Sequence, residues 1–560
     1  MSTASPEFDA IVVGSGITGG WAAKELTELG LKVVMIERGR PVEHQRDYTT
    51  EFATPWSLPD RGLQIAGKPG LSKLGPLRVN AGDPGFLVDP AQYPYQTDPR
   101  SAWRWIRGYQ MGGRSMSWAR QCFRWSDLDF EANRRDGHGV DWPIRYADLA
   151  PWYDRVEAFA GISGSQEGLA QLPDGVFQPP LALNHVEAAF RDSVRANFPT
   201  RHVIPGRTAN LTLDKPEEGR ARCQFRSICH RGCSLGAAFS TLSATLPAAR
   251  RTGNLTVLAD SRVVKVEYDP KTRRASGVRV LDRKARRERV VTGRVVFLCA
   301  SAFNSVGILL QSASEAFPHG LANSSGVLGR YLMDHATATV RAVVPGYLDR
   351  DYRGFRPCTF YVPRFRNATE PSETLLRGYG MQGYAWRASW SDLAAEPGVG
   401  AAFKERVRRR GGWKMGLGVS AEMLPHRDNH MRLVPALPDE DGLPQYRIEL
   451  IFRENDLALL ADGVAEAARM METFGARVVD RPARLAPQGA VHEMGGARMG
   501  RDPATSVLNA FNQAHDVANV FVTDGAAMSS AACQNPSLTY MALTARAAHA
   551  AASMLREGRL

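Results

Sequence analysis

The stretch Asp9 to Glu37, DAIVVGSGITGGWAAKELTELGLKVVMIE, constrains this chain more than any other. Ala10 to Val13 is a short apolar run, Gly14, Gly16 and Gly19 fit G-x-G-x-x-G, and Leu31 to Ile36 is a second β-rich run ending in Glu37. Strand, glycine turn, helix and strand make a complete βαβ unit. Gly14 allows the tight turn, Gly16 lets backbone N–H groups approach a pyrophosphate, and Gly19 lets the helix pack closely on the strand. The pyrophosphate belongs at the positive end of the helix that starts near Ile17. Glu37 is placed to accept hydrogen bonds from a ribose diol, and its charge disfavours the 2′-phosphate of NADP. The fingerprint by itself does not separate FAD from NAD.

At 560 residues the chain exceeds one ordinary core, so two connected domains are expected. Apolar residues at 44% and charged residues at 23% fit a soluble globular protein. No apolar run approaches the roughly 18 residues of a membrane span. The first strand begins so near Met1 that no export signal is expected in this chain. The net charge of +12 raises the question of nucleic acid, yet only 10 of the 70 basic residues are Lys and the rest are spread along the chain. Arg283 to Arg289 and Arg406 to Arg410 are short clusters without a nucleic-acid-binding signature, read as solvated faces or loops. A docking surface for an acidic redox partner is the other reading of the charge.

Arg38 to Asp98 is rich in Pro, Gly and polar residues, as in a cover over a bound ligand. RGYQMGGRSMSW, 107 to 118, carries Gly112 and Gly113, which permit either close backbone approach to something planar or charged, or a plain turn. A helix is predicted to about Ala160, followed by a loop-rich stretch from Gly161 to Gly219. Asn254 to Tyr268, Ala275 to Asp282 and Val290 to Cys299 read as strands, with a helix over Ala300 to Ser314. Between about Leu332 and Phe452 come short aromatic strand-like runs: Thr337 to Val344, Phe360 to Arg364, Gly378 to Arg387 and Gln445 to Phe452. They predict the antiparallel sheet of a second domain. Asp456 to Phe474 reads as an amphipathic helix with Leu457, Leu460, Val464, Ala467, Met471 and Phe474 on one face. Val517 to Val522 reads as a strand, Asp524-Gly525 as a turn, and Pro536 to Leu555 as a closing helix.

Three of the seven cysteines, Cys223, Cys229 and Cys233, are spaced C-x5-C-x3-C. Disulfides want an even set and an oxidising compartment, and zinc normally wants a fourth ligand, with His230 poorly spaced for it. Spacing leaves iron–sulfur, zinc and unliganded thiols open. Cys122, Cys299, Cys358 and Cys533 read as ordinary small buried residues.

Taken together these segments resemble the glucose-methanol-choline (GMC) oxidoreductases over nearly the whole chain. The fingerprint, the Gly112-Gly113 loop, Val290 to Ser314, and the closing VHEMGGARMG and AACQNPSLTYMAL segments follow the family's order. The resemblance implies a Rossmann-like α/β FAD-binding domain joined to a second α+β substrate domain built on an antiparallel sheet. It divides the chain into 1–45, 100–130, 220–331 and 490–560 for FAD, and 46–99, 131–219 and 332–489 for cover loops and substrate. Catalysis falls to His492 as general base and Asn535 as the partner that orients the substrate oxygen; a buried structural histidine is the plain alternative for His492. Besides Gly14, Gly16, Gly19 and Glu37, cofactor contacts are implied at Gly112, Gly113, Ser115, Ser117, Val263, Asp524, Gly525, Asn535 and Pro536. Ser117 stands where the pyranose oxidases carry a flavin-linked His, so FAD is expected without a covalent bond.

C-x5-C-x3-C further resembles the [3Fe-4S] site of bacterial flavin sugar dehydrogenases. GWAAKELTELGLKVVMIERGR, FLCASAFNS and GRYLMDH are most similar to FAD-dependent glucoside 3-dehydrogenases. The implied activity is oxidation of a secondary hydroxyl of a sugar or glycoside, with C3 of glucosides foremost. Electrons would leave through the cluster to a cytochrome c or quinone. A small signal-bearing subunit would carry the chain to the periplasm, and without it the chain would stay cytoplasmic. The alternatives are a flavin sugar oxidase using oxygen and a non-catalytic flavin and iron–sulfur electron-transfer subunit.

Overall fold

The computed structural model describes residues 6–54, 57–58, 85–101, 103–351, 360–388, 393, 397–409, 411–483 and 488–560. Cys358 and the middle of the expected cover, 59–84, lie outside these residues. Among the described residues no helix is long and apolar enough to cross a membrane.

The apolar strand Phe8–Val13 lies inside a seven-stranded sheet, flanked by Val33–Ile36 on one side and Arg287–Leu298 on the other, both parallel to it. Leu255–Leu258 extends the sheet beyond Val33–Ile36, and Ser261–Asp269 and Arg274–Asp282 form an antiparallel meander into Arg287–Leu298. That last strand changes character along its length. Arg287 to Val290 are exposed and pair antiparallel, whereas Val295 to Leu298 are buried and pair in parallel with Phe8–Val13 and Val520–Val522. A polar run leading into VVFL is what this dual role requires, because only a parallel segment covered on both faces is continuously apolar. The Ile17–Glu28 helix packs against the sheet and against Ser537–Arg556, whose buried Ala547, Ala548, Ala551 and Ala552 let the two approach closely.

A six-stranded antiparallel sheet runs in the order Arg477–Asp480, His335–Val344, Trp413–Glu422, Tyr379–Arg387, Phe360–Val362, Ile204–Pro205. Directly opposed residues share a face. Ala336, Val340, Leu417, Val419, Ala421, Tyr379 and Met381 therefore point one way, where the Glu454–Thr473 helix covers them. His335, Thr337, Glu422, Ser420, Gly418 and Gln382 point the other way. One face is core and the other is polar.

Four expectations need correcting. The run at 445–452 does not join this sheet: Pro444–Glu449 pairs with His430–Pro438 and Gln96–Thr97 in a separate three-stranded sheet, since the Asp439–Leu443 turn folds it back on its own neighbour. Leu457 is 41% exposed, because the helix buries the stripe 456, 459, 460, 463, 464, 467, 470 and 471 instead. The loop-rich stretch from Gly161 to Gly219 contains the helix His185–Asn197, closed by a capping box of Asn184 and Glu187. Arg283 and Arg286 are not merely solvated, since both pair with Asp441.

Candidate functional site

The glycine turn opens into a cleft of about 1490 Å³, counting the part open to solvent. Gly14 has φ +97°, and a Cβ there would lie 2.5 Å from the Cys299 carbonyl oxygen. A Cβ on Gly19 would lie 1.9 Å from the Gly14 carbonyl oxygen, so Gly19 is a packing residue outside the cleft lining. Gly16 has nothing within 4 Å of its missing Cβ and lines the cleft. The first-turn residues Ile17 and Thr18 line it too, so helix N–H groups face open space where a pyrophosphate fits.

Glu37 also lines the cleft, but its carboxylate is already engaged. Oε2 accepts from Ser15 N at 3.0 Å and Ser15 Oγ at 2.6 Å, and Oε1 accepts from Gly39 N at 2.8 Å. Burial pushes its pKa up and these hydrogen bonds oppose the rise. A carboxylate has about four acceptor sites, so a ribose diol can still be accommodated.

The second glycine loop is tied to the first. Gly112 N donates to Ser15 Oγ at 3.0 Å, and Ser115 Oγ accepts from Thr241 N at 3.0 Å while Thr241 Oγ1 donates to Gly16 O at 3.0 Å. Of the expected cofactor positions, Gly14, Gly16, Glu37, Gly113, Ser115, Ser117, Val263, Asp524 and Gly525 line the cleft. Gly112 shapes the turn behind it with φ +86°. Asn535 and Pro536 are not in the lining, although Ser537 and Tyr540 of the following helix are. Asp524 is buried, which raises its pKa to about 6, and accepts from Ser305 Oγ and from Ala526 N at 3.1 Å.

Sequence reading passed over Arg114 and Glu493. They form an ion pair, and both line the cleft. Arg114 Nη1 and Glu493 Oε1 are buried without a hydrogen-bond partner among the described residues. Buried polar atoms left unpaired are costly. Such orphans on the wall suit a polar ring lying against them, and with the open Gly16 cradle and the free helix end the cleft fits FAD.

His492 sits between the lining residues Val491 and Glu493. Its Nε2 is 3.0 Å from Asn535 Nδ2 and its Nδ1 is 3.0 Å from His335 Nδ1. Gln382 Nε2 donates to Asn535 Oδ1. Burial, then His335 and Arg114, hold the His492 pKa well below 6.5. Burial likewise lowers that of His335. A neutral imidazole beside an amide is equipped to take an alcohol proton while the oxygen is held. Two of these side chains stand on regular elements: His335 opens a strand of the antiparallel sheet, and Asn535 precedes the Ser537–Arg556 helix.

Elsewhere, the hairpin of His430–Pro438 and Pro444–Glu449 brings Asp441 among arginines. Its carboxylate meets Arg262 at 2.9 Å, Arg283 at 3.1 Å and Arg286 at 2.9 Å. Burial alone would raise the Asp441 pKa, but Arg262 and Arg283 more than offset this and lower it. Arg262 and Tyr446 line the cleft, so the hairpin clasps one edge of it. Removing one partner of a buried ion pair strands the others. Asp441→Asn is expected to lower stability by about 3 kcal/mol and to speed FAD loss on dialysis, read by differential scanning and flavin fluorescence. An unchanged melting temperature and unchanged flavin retention would show that the Asp441 cluster does not clasp the cleft.

Cys223, Cys229 and Cys233 are half-buried cysteines, in no disulfide, around one small cavity, with Phe225 N 3.4 Å from Cys223 Sγ. Among the described residues no three His, Cys, Asp or Glu side chains are arranged to hold a metal ion. Cys122, Cys299 and Cys533 are buried as expected. Arg120 connects the thiol loop to the cleft wall, donating to Trp118 O at 2.7 Å and to Cys229 O at 3.2 Å.

Residues 8–337 match the family described as GMC oxidoreductase in its N-terminal part, and residues 425–544 match it in its C-terminal part. The chain is 28% identical to 2-methyl-1,2-propanediol dehydrogenase of Mycolicibacterium austroafricanum, with 98% of this chain and 95% of that protein covered. It is 25% identical to the fructose dehydrogenase large subunit of Gluconobacter japonicus, each covered in full at 100%. In fold it is similar to the pyridoxine 4-oxidase from Mesorbium loti, with a TM-score of 0.60 at 17% identity, covering 97% of this chain and 98% of the other.

Proposed function

The chain belongs to the GMC oxidoreductases, flavoenzymes acting on CH–OH donors, and we propose that it is an FAD-dependent dehydrogenase oxidising a secondary hydroxyl of a sugar or glycoside, C3 of a glucoside foremost. In this reading residues 1–45, 100–130, 220–331 and 490–560 hold the cofactor, and 46–99, 131–219 and 332–489 cover it and receive the substrate. The observation that carries the reading is the His492–Asn535 pair at 3.0 Å beside the cleft wall. Bound flavin supplies the hydride acceptor. This chain's own residues do the rest: His492 takes the hydroxyl proton and Asn535 holds the oxygen so that the carbon hydrogen is presented to the cleft. Thr337, Ser420 and Gln382 share the polar sheet face with His335. The C3 preference is supported by the likeness of GRYLMDH and FLCASAFNS to glucoside 3-dehydrogenases, and the fructose dehydrogenase relative supports a sugar as substrate.

Cys223, Cys229 and Cys233 are assigned in the same reading to a [3Fe-4S] cluster. Such a cluster takes one thiolate on each iron, so its cysteines ring a cavity rather than meet at a point, and the three thiols line one cavity. The Arg120 link to the cleft wall gives electrons a short way out toward a cytochrome c or quinone. The Gluconobacter relative is named a large subunit; by extension a small signal-bearing partner carries this chain to the periplasm.

One set of measurements tests the whole reading. A glucoside should bleach the flavin without oxygen, drive an artificial acceptor and yield a 3-keto product, and the purified holoenzyme should contain iron that falls in Cys229→Ser while flavin reduction persists. Oxygen uptake matching sugar consumption would make it an oxidase. Failure of every sugar to bleach the flavin would leave an electron-transfer subunit, and iron unaffected by the Cys229 substitution would remove the cluster.

A further inference from the structure

The two histidines and two amides at the site form one unbroken hydrogen-bonded chain: Ala531 carbonyl, His335, His492, Asn535, Gln382. Four of these five members can donate or accept at either end, because an imidazole has two tautomers and an amide can turn over. Only the Ala531 carbonyl has a fixed role, since a carbonyl oxygen never donates. From its position we propose that His335 is a positioning residue that keeps the proton of His492 on Nδ1, leaving Nε2 bare as the base nitrogen.

The steps follow from polarity alone. His335 Nε2 lies 3.4 Å from Ala531 O, so that nitrogen carries the hydrogen. Neutral His335 then has only a lone pair at Nδ1, which is 3.0 Å from His492 Nδ1 and must accept from it. With its proton on Nδ1, His492 presents a lone pair at Nε2 to Asn535 Nδ2, 3.0 Å away. Asn535 Oδ1 is thereby free to accept from Gln382 Nε2. The reverse direction would put the lone pair of His335 Nε2 against the lone pairs of Ala531 O and leave two buried acceptors facing each other, at the full cost of an unmade buried hydrogen bond. The device is built into the sheet. His335 and Gln382 share its polar face two strands apart, and the Trp413–Glu422 strand between them sets their spacing by register.

The charged groups around the chain are arranged so as not to disturb it. Glu422 faces His335 from the neighbouring strand, but Arg377 pairs with it at 2.6 Å and Arg364 stands at 3.8 Å. Asp334, beside His335, is occupied by His335 N at 2.7 Å and by Trp103 Nε1 at 3.3 Å. Arg114, paired with Glu493, is the charge facing His492. A neutral acceptor at His335 therefore fixes the tautomer without making His492 more basic, which a carboxylate in that place would do.

This inference rests on His492 being the base, and the experiment separates the two ideas. Anaerobic flavin reduction by sugar is followed against pH in the holoenzyme for His335→Leu, His335→Asn and His335→Asp, with His492→Ala alongside. Leu removes the acceptor and should slow reduction about 10- to 100-fold with FAD content and KM near those of the parent. Asn offers an amide oxygen near the Nδ1 position and should restore most of the rate. Asp should move the acidic limb of the pH profile upward, because a carboxylate at that distance favours the imidazolium. If Leu does not fold, the difference in limb between Asn and Asp still decides. Identical rates and limbs in all three His335 variants, with His492→Ala inactive, would overturn the positioning role alone. A fully active His492→Ala would instead overturn the base assignment beneath it.

Discussion

His492→Ala is expected to slow flavin reduction by sugar on the order of 10² to 10⁴-fold, the usual cost of losing a general base, while the protein keeps its yellow colour. A sugar hydroxyl does not ionise unaided at neutral pH, so its proton must be received as the carbon hydrogen departs. The imidazole is poised for this by burial, which holds its pKa well below 6.5 with help from His335 and Arg114. The sign follows directly. A base must be unprotonated to act, and a lowered pKa keeps it so until the pH has fallen through that lowered value. Reduction rates should thus stay level from pH 8 down to 6 and fall only in more acid solution. FAD retention in the variant is expected because His492 lies outside the cleft lining. Stopped-flow reduction across that pH range checks both points: a parent-like rate in the variant, or an acidic limb near pH 7 in the parent, would break the argument.

Local patterns were legible in the sequence and long-range pairings were not. The first βαβ unit could be read because strand, turn and helix are adjacent and the spacing of Gly14, Gly16 and Gly19 marks the turn between them, with Gly19 answering a steric demand made by Gly14 five residues earlier. The polar-to-apolar change along Arg287–Leu298 was legible in the same way, although only its apolar half stood out as a strand. Pro444–Glu449 shows the limit: alternation marks a strand but does not name its partner, and the nearby turn chose a different sheet. The Asn184 and Glu187 capping box was present in the sequence and passed over amid Pro and Gly breaks. At the site, the family segments singled out His492 and Asn535, but His335 and Gln382 are separated from them by 157 and 153 residues and reach them only through sheet register. Arg114 and Glu493 are 379 residues apart, and nothing in either local sequence announces the other.

Gly19→Ala and Gly16→Ala should part company, and the contrast tests the cofactor cradle from the protein side. At Gly19 a methyl group would sit 1.9 Å from the Gly14 carbonyl oxygen and 2.8 Å from its carbon. These are backbone atoms, so relief requires the whole Ile17–Glu28 helix to move off the strand. Gly14 has no slack to give, with φ +97° and the Cys299 carbonyl against it. Overpacking of a well-filled site costs about 1–3 kcal/mol and more when backbone must shift, so Gly19→Ala should lose about 3 kcal/mol or more and be recovered largely without FAD. Gly16 is different: its backbone is at φ −64° and nothing lies within 4 Å of the added methyl. The apoprotein of Gly16→Ala should melt with the parent apoprotein, yet bind FAD at least tenfold more weakly, because the methyl occupies the approach that a pyrophosphate needs to reach the helix N–H groups. Apoprotein melting and FAD titration of both variants separate the roles. Parent-like FAD affinity in Gly16→Ala would mean that the phosphates lie elsewhere in the cleft, and a stable, flavin-loaded Gly19→Ala would mean that the helix can ride over the turn.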